Sequence, residues 1–347
     1  MTTFSPATVD PDLVAMLDDV FGRQAGSPPG TLDRAFWRTV DALGVARLTQ
    51  SEHTGGSGAG WPEAAAVLTA AARHAVSVPY AEHDLLAHWL AGETGLVLDP
   101  GAVCTAAVLD ESGTAHDVAW AAQADQLAVL WPDGERWWAA VVSAGLAAVS
   151  PNHNVAGEPR DTVSVSLDHL RSVASDAPPS LARTFRLRGA LARAVQLTAA
   201  SAAVVDLCVG YARDRVQFGR PLAKFQAVQH LVAEAASEVE LARAATDVAV
   251  KSAAGRSAPA EFAVATARSC AGRAGQIAVR HGHQIHGAIG TTAEHRLHRY
   301  TLPITAWRTE FGSQRDWDQT LTAHAIAAGT EGLWPLLTGA APTKATA

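Results

Sequence analysis

The second half of the chain constrains the fold most. Residues 186–213, 227–251 and 261–280 carry apolar side chains on most helical turns, and alanine is the commonest of them. So many small side chains suit close helix–helix contact, and this block reads as packed α-helices. Residues 10–98 also read as helices. Asp10-Pro11-Asp12 and Thr31-Leu32-Asp33 offer N-terminal caps, because their side-chain oxygens can accept the orphan backbone N–H groups of a first turn. Gly22 to Gly30 breaks the pattern, and a Gly-rich stretch at 55–60 precedes Pro62, which opens a long Ala-rich helix. Between the helical blocks the texture changes. Thr105–Leu109, Gln126–Trp131, Trp137–Val142 and Thr162–Leu167 are short runs rich in Val, Ala and Trp, split by turn clusters at Asp110–Gly113 and Pro132–Gly134. Thr162–Leu167 alternates strictly and is the cleanest strand signal. The expected fold is α+β: an N-terminal helical domain over 1–100, a small antiparallel β domain over 101–172 and a C-terminal helical domain over 173–347. The Thr/Ala/Pro tail after Gly339 is expected to fray.

A chain of 347 residues can bury a full core without disulfide or metal staples. The formal charge is -7 and the pI about 6.0, so there is no basic surplus to neutralise phosphates, and nucleic-acid binding is not expected. The three cysteines, Cys104, Cys208 and Cys270, lie far apart without a CxxC pair and fit a reduced, cytoplasmic setting. The first residues show neither the basic nor the apolar region of a secretory signal. The longest uncharged apolar stretch, Trp138–Val149, falls short of the roughly 20 residues a bilayer span needs, so no membrane association is expected.

Two segments carry candidate chemistry. In Tyr211–Gln226 a helix ends near Arg215, Gly219 and Pro221 force a turn, and Lys224-Phe225-Gln226 opens the next helix. That junction gathers a guanidinium, side-chain amides and free N–H groups, the parts a pyrophosphate site needs. The same residues also suit a solvated corner between two helices, where the helix dipole already favours arginine. In Gln284–His295, Gly287 and Gly290 mark a loop where backbone can approach a flat ligand. His281, His283, His286, His295 and His298 with Glu294 match no HExxH or His/Cys spacing, so no metal site is expected there.

Taken together, Arg213–His230 and His283–Tyr300 resemble the two signature segments of the acyl-CoA dehydrogenase family, and their order and spacing match as well. The resemblance implies a flavoprotein fold of N-terminal helical domain, middle β domain and C-terminal four-helix bundle. It implies FAD as cofactor and an acyl-CoA substrate that loses its α proton and β hydride. Carried over position by position, Arg215 and Gln217 would hold the FAD pyrophosphate, and Phe218 would lie near the adenine. Gln226, Gln284 and the backbone from Gly287 through Ala288 to Gly290 would complete the clamp, Ala288 standing where the family commonly has glycine. In the family this clamp grips the cofactor of the neighbouring subunit.

The resemblance breaks at the chemistry. The family's base is a glutamate inside a Tyr-Glu-Gly-Thr segment, and the matching run here is Glu310-Phe311-Gly312-Ser313, which puts Phe311 at the base position. Glu310 comes one residue early, so in a helix or strand its side chain would point elsewhere. Some members carry the base on the helix before the first signature, and that position falls near Ala190, between Arg188 and Arg193. The Thr/Ser-Glu-Pro-x-Ala-Gly-Ser-Asp loop that shapes the family's flavin pocket has no counterpart between Ala102 and Asp161. The chain therefore resembles the non-catalytic β-type subunit of the heteromeric acyl-CoA dehydrogenases of bacterial steroid and cholesterol degradation. That likeness implies an α2β2 heterotetramer with a second acyl-CoA dehydrogenase subunit that supplies the base, and electron-transfer flavoprotein as acceptor. Two alternatives stand beside it: a self-sufficient homomer using Glu310 or Glu294 as base, and a scaffold subunit that binds no flavin.

Overall fold

The computed structural model describes residues 9–254 and 260–338. The first eight residues, read above for a secretory signal, and the tail after Gly339 lie outside that range. The N-terminal region is helical: α1 (Pro11–Arg23), α2 (Arg34–Ala42), α3 (Trp61–Arg73), and a π-helical segment, Ala81–His88, that runs into α4 (Trp89–Thr94). The two predicted caps form. Asp10 Oδ1 accepts from the Asp12 N–H, and Asp33 Oδ1 accepts from the N–H groups of Ala35 and Phe36, all at 2.9 Å.

The middle region holds β1 (Cys104–Val108), β2 (Thr114–Val118), β3 (Gln126–Asp133), β4 (Arg136–Ser143), β5 (Ala148–Ser150), β6 (Asp161–Ser164), the short helix α5 (Leu167–Ser172) and β7 (Ser175–Ala177). They form two sheets, ordered β1-β3-β4-β7 and β2-β6-β5. Every pairing in these two sheets is antiparallel except one. β1 and β3 run parallel, because β2 leaves for the other sheet and the chain crosses back before β3 begins. The clean alternation at Thr162–Leu167 forms only a short strand. β6 stops at Ser164, the Val165 N–H turns to the Gly113 carbonyl, and Leu167 starts α5, which buries Leu170 between the sheets.

The C-terminal region contains α6 (Ser180–Asp214), the hairpin strands β8 (Val216–Gln217) and β9 (Arg220–Pro221), α7 (Gln226–Ser252), α8 (Glu261–His286), a 3-10 turn at Gly287–Thr291, α9 (His298–Trp307) and α10 (Gln314–Thr338). α6, α7 and α8 pack on one another, α10 lies along α8 as the fourth long helix, and α9 sits against α6 and α8. Small residues allow this closeness: a methyl at Gly282 of α8 would come 2.9 Å from Val204 of α6. α3 packs on the other flank of α6, so one alanine-rich core joins the first and last regions. A second core (Leu86, Leu90, Leu130, Phe185) joins the π-helical segment to the larger sheet and the start of α6, and a third fills the space between the sheets. Among the described residues α6 alone is long and apolar enough to cross a bilayer. Most of that stretch is buried, so its apolar length is accounted for by packing inside the fold.

Candidate functional site: an outward clamp and an open cavity

Two chain junctions meet at one end of the bundle. Tyr211, in the last turn of α6, stacks on His286, the last residue of α8, at a ring separation of 4.5 Å, and His295 packs 4.6 Å from His286. Burial lowers the pKa of His286, as do the neighbouring His295 and His283, so the stack is held by neutral rings. Beyond Tyr211 the helix stops at Arg215, whose carbonyl accepts from the Leu222 N–H at 2.9 Å, and β8–β9 form a two-residue hairpin. Its tip, Phe218 and Gly219, has φ of +52° and +78°, the left-handed pair that such a tight turn requires. Phe218 is 90% exposed. The hairpin folds back on the start of α7, with Arg220 4.2 Å over the Phe225 ring. Arg215, Gln217, Gln226 and Gln284 are exposed, and their side chains have no partner within the described chain. Gly287 and Ala288 are exposed beside them. Gly290 is not: it is buried, and a methyl there would lie 2.8 Å from His286 and 3.0 Å from Leu297, so its smallness serves packing.

A separate cavity of about 750 Å³ opens between the sheets, the start of α6 and the loop after α9. Leu86, Val108, Val118 and Phe185 supply apolar walls, and Arg160, Arg193 and Glu310 a polar floor. Glu310 is gripped from both sides, by Arg193 Nε at 2.6 Å and Arg160 Nη2 at 2.7 Å. Arg193 also pairs with Glu82 at 2.6 Å, and Arg160 with Glu158 at 3.2 Å. Glu158 in turn accepts from Trp307 Nε1 at 2.8 Å. Burial by itself would push the Glu310 pKa up, but the charges of Arg193 and Arg160 and their hydrogen bonds outweigh it and bring the value down to about 2. Burial likewise pulls against the charge of Arg193, and the carboxylates of Glu310, Glu82 and Glu158 overcome it and hold this guanidinium firmly protonated.

Both candidate positions for a base converge here. Phe311 adopts φ of +57°, and its ring lies over Gly189, next to Ala190. The loop is neither helix nor strand, so the expectation that Glu310 points away from Phe311 does not hold: both side chains line the cavity. The loop is also pinned from behind. Arg268, 1% exposed, places Nη2 within 2.9–3.2 Å of the carbonyl oxygens of Trp307, Arg308, Glu310 and Gly312, and Arg186 Nε donates to the Phe311 carbonyl at 3.2 Å. A carboxylate shared by two guanidiniums is a poor proton acceptor, which counts against Glu310 as a base. Glu294 is exposed in the turn before α9, outside this cavity.

One cluster of metal-ligand type was not visible in the spacing. His83, His88 and Cys104 bring ligand atoms within 4.8 Å of one another. His83 Nδ1 already accepts from the Cys104 N–H at 3.0 Å, which puts its ring proton on Nε2, and burial pushes the thiol up to about 12. His83 and Cys104 read as hydrogen-bonded packing where the π-helical segment meets β1, while His88, whose Nε2 is buried without a partner, packs edge-on to the His83 ring at 4.5 Å.

Comparison with known proteins agrees with this architecture. The profile of the acyl-CoA dehydrogenase C-terminal domain matches residues 181–314. Acyl-CoA dehydrogenase IpdE2 of Mycobacterium tuberculosis is 30% identical over 279 residues, covering 77% of this chain and 79% of that protein. The chain belongs to the acyl-CoA dehydrogenase family. Acyl-CoA dehydrogenase FadE34 of the same organism is 29% identical over 83% of this chain, which matches 42% of that longer protein. Among solved structures, a chain of the ChsE4–ChsE5 complex from Mycobacterium tuberculosis superimposes with a TM-score of 0.80 at 22% identity, covering 94% of this chain and 98% of that one. A chain of a Tcur3481–Tcur3483 steroid ACAD variant gives 0.79 at 22% identity over 92% and 97%. These two likenesses are of fold.

Members of the acyl-CoA dehydrogenase family are FAD-dependent flavoproteins and oxidise the CH–CH bond of acyl-CoA thioesters. The residues here fit the two halves of that cofactor unequally. The free guanidinium and amides at the bundle end suit a pyrophosphate presented from outside the chain. The cavity is spacious, and Arg160, Arg193 and Glu310 on its floor are paired with one another and not aimed at a ring. Sequence reasoning notes Arg193 beside Ala190 and gives Asn154–Arg160 only as a turn-rich loop without the polar tail of the family's flavin loop. It missed that both arginines close on Glu310, since partners 117 and 150 residues apart in sequence leave no local signal.

Proposed function

We propose that this chain is one subunit of a heteromeric acyl-CoA dehydrogenase, in an α2β2 assembly, and that it holds the ADP half of an FAD whose flavin lies in a companion subunit. Arg215, Gln217, Gln226 and Gln284 would bind the pyrophosphate and its flanks, with Phe218 against the adenine and the backbone of Gly287 and Ala288 closing the clamp; Gly290 supports it from beneath. The observation that carries this reading is the loop at 310–311: Phe311 stands at the base position, and the nearest carboxylate is neutralised by Arg193 and Arg160. A chain so arranged has no free carboxylate at the family's base position, yet it keeps free polar side chains aimed outward. When bound, the cofactor would accept the β hydride. This chain's part is to anchor and orient it, while the companion supplies the base.

A steroid-derived acyl-CoA is the proposed substrate class. Support comes from the steroid ACAD named among the structural neighbours and from the paired chains of the ChsE4–ChsE5 complex. Electron-transfer flavoprotein as acceptor and a cytoplasmic setting belong to the same proposal. The test is a visible spectrum of the chain purified alone after adding FAD, and again after co-expression with a companion dehydrogenase subunit. The expected result is a colourless protein alone and a yellow complex that an acyl-CoA bleaches. Tight flavin on the isolated chain, bleached by an acyl-CoA, overturns the shared site. No colour in either setting favours the scaffold reading.

A further inference from the structure

The two halves of the clamp meet at one ring. Arg215 and Gln217 follow directly on α6, and Gln284, Gly287 and Ala288 stand at and just beyond the end of α8. Gln284 and Gly287 are exposed, whereas His286 between them is 3% exposed and turns inward to Tyr211 of α6. The two ring planes differ by only 28°, so they lie face to face. The Arg215 N–H donates to the Tyr211 carbonyl at 2.9 Å, so the ring and the guanidinium share the last turn of α6. Further up, α6 and α8 pack through small residues such as Gly282, and the stack fixes only their final turns.

That contact suits a neutral imidazole only. His286 Nδ1 lies 2.8 Å from the Gly282 carbonyl and so carries the ring proton, which leaves a lone pair on Nε2. Nε2 is buried and has no partner among the described residues. A second proton would therefore create a charged N–H without an acceptor or water. The neighbours make this worse. On α8, His283 stands one turn earlier with Nε2 3.2 Å from Thr301 Oγ1 of α9, while His281 turns to α7 and pairs with Glu234 at 2.8 Å. The turn before α9 brings His295, itself beside Arg296 and His298. No carboxylate acts on His286 or His295, and burial lowers the pKa of both. The phenol face of Tyr211 attracts a cation, but weakly beside an unsolvated N–H. Closure is thus fully stable above pH 6.5, the ordinary histidine value, and weakens as pH falls below it. From the stack, the orphaned Nε2 and the basic neighbours around it, we propose that Tyr211 and His286 are positioning residues of the clamp, and that protonation of His286 parts its two halves. The clamp as a cofactor site rests on the function proposed above, whereas the latch is a property of this chain alone.

The test is amide hydrogen exchange of the full chain at pH 7.5 and pH 5, corrected for the intrinsic effect of pH on exchange. Peptides covering 211–226 and 284–292 should exchange several-fold faster at pH 5, while those of β3 and β4 keep their protection. His286→Phe retains a ring against Tyr211 but takes no proton, so its clamp peptides should exchange alike at both pH values. Tyr211→Leu removes the stack from the other side and should exchange fast at both, which decides the matter should the first variant not fold. Clamp exchange in the original protein that ignores pH overturns the proposal. So does an acid response that survives in His286→Phe, or full protection of the clamp in Tyr211→Leu. In a co-purified complex, acid should strip flavin from the original protein faster than from His286→Phe. A latch that opens while flavin retention stays unchanged would uphold the positioning and remove the clamp from cofactor binding.

Discussion

Phe311 lies so close over Gly189 that a methyl group at 189 would come within 2.3 Å of its ring. The ring cannot easily withdraw, because Arg186 and Arg268 hold the backbone of its loop by carbonyl oxygens. Gly189 sits inside α6, where alanine would otherwise be favoured by about 1 kcal/mol. Overpacking costs about 1–3 kcal/mol and should win. Gly189→Ala is thus expected to lower stability in a chemical melt. In a Phe311→Ala background the clash is gone and only helix propensity remains, so the same substitution should turn stabilising. A Gly189→Ala effect of the same sign in both backgrounds would show that the two residues are not coupled.

The pairing of Glu310 gives a signed pH dependence. Its carboxyl has a folded pKa of about 2, below the unfolded value near 4.5, so its contribution is fully present above pH 4.5 and is lost as pH falls towards 2. The drop corresponds to an order of 3 kcal/mol. Glu310→Gln leaves Arg160 and Arg193 each without one partner and should cost about 3–5 kcal/mol at neutral pH. Below pH 4.5 the gap between the two proteins should narrow, because the unfolded Glu310 takes up a proton that the folded carboxylate, ionised down to about pH 2, does not. Urea melts of both proteins from pH 7 to pH 3 measure it, and a constant gap would mean that Glu310 is not held ionised by its arginines.

Arg215 separates cofactor binding from folding. Its side chain is exposed and makes no contact that the isolated chain needs, so Arg215→Ala should shift the stability of the chain by no more than about 0.5 kcal/mol. In the proposed complex the same change would remove a charge-assisted bond to the pyrophosphate. The flavin-to-protein ratio should fall at least several-fold after gel filtration, and added FAD at high concentration should restore part of it. Unchanged flavin content would remove Arg215 from the clamp.

Much of the fold was legible because its signals are local. Asp10 and Asp33 cap the helices that they were expected to start, and Arg215 and Gln226 mark the end of one long helix and the beginning of the next. The strand at Thr162–Leu167 was over-read: its alternation is real, but Leu170 is buried by a turn of helix, and periodicity over six residues cannot distinguish the two. The parallel pairing of β1 and β3 depends on which sheet β2 joins, a tertiary choice that the strand's own sequence does not record. At the clamp, residue type and order were enough to mark a turn between Arg215 and Gln226, though not the two-residue hairpin that forms it. At the cavity they were not. Arg160, Arg193 and Glu310 come from a loop, a helix and a turn, and only packing makes them one charge network.

Phe218 offers the last test, because strain and contact pull its substitution in different directions. A phenylalanine at φ of +52° sits in a region that costs an L-residue roughly 1–2 kcal/mol, and its 90% exposed ring recovers little from the isolated chain. Glycine removes that strain but adds unfolded-state entropy of about 0.5–1 kcal/mol. Phe218→Gly should therefore leave the isolated chain within about 1 kcal/mol of the original, neutral or slightly more stable. In the proposed heteromeric complex the ring would lie against the adenine of the partner's FAD. There the substitution should speed flavin loss or subunit dissociation, read by flavin fluorescence on dilution. Equal retention in both complexes would mean that the tip of the hairpin faces solvent in the assembly too, and that the clamp rests on Arg215 and the glutamines alone.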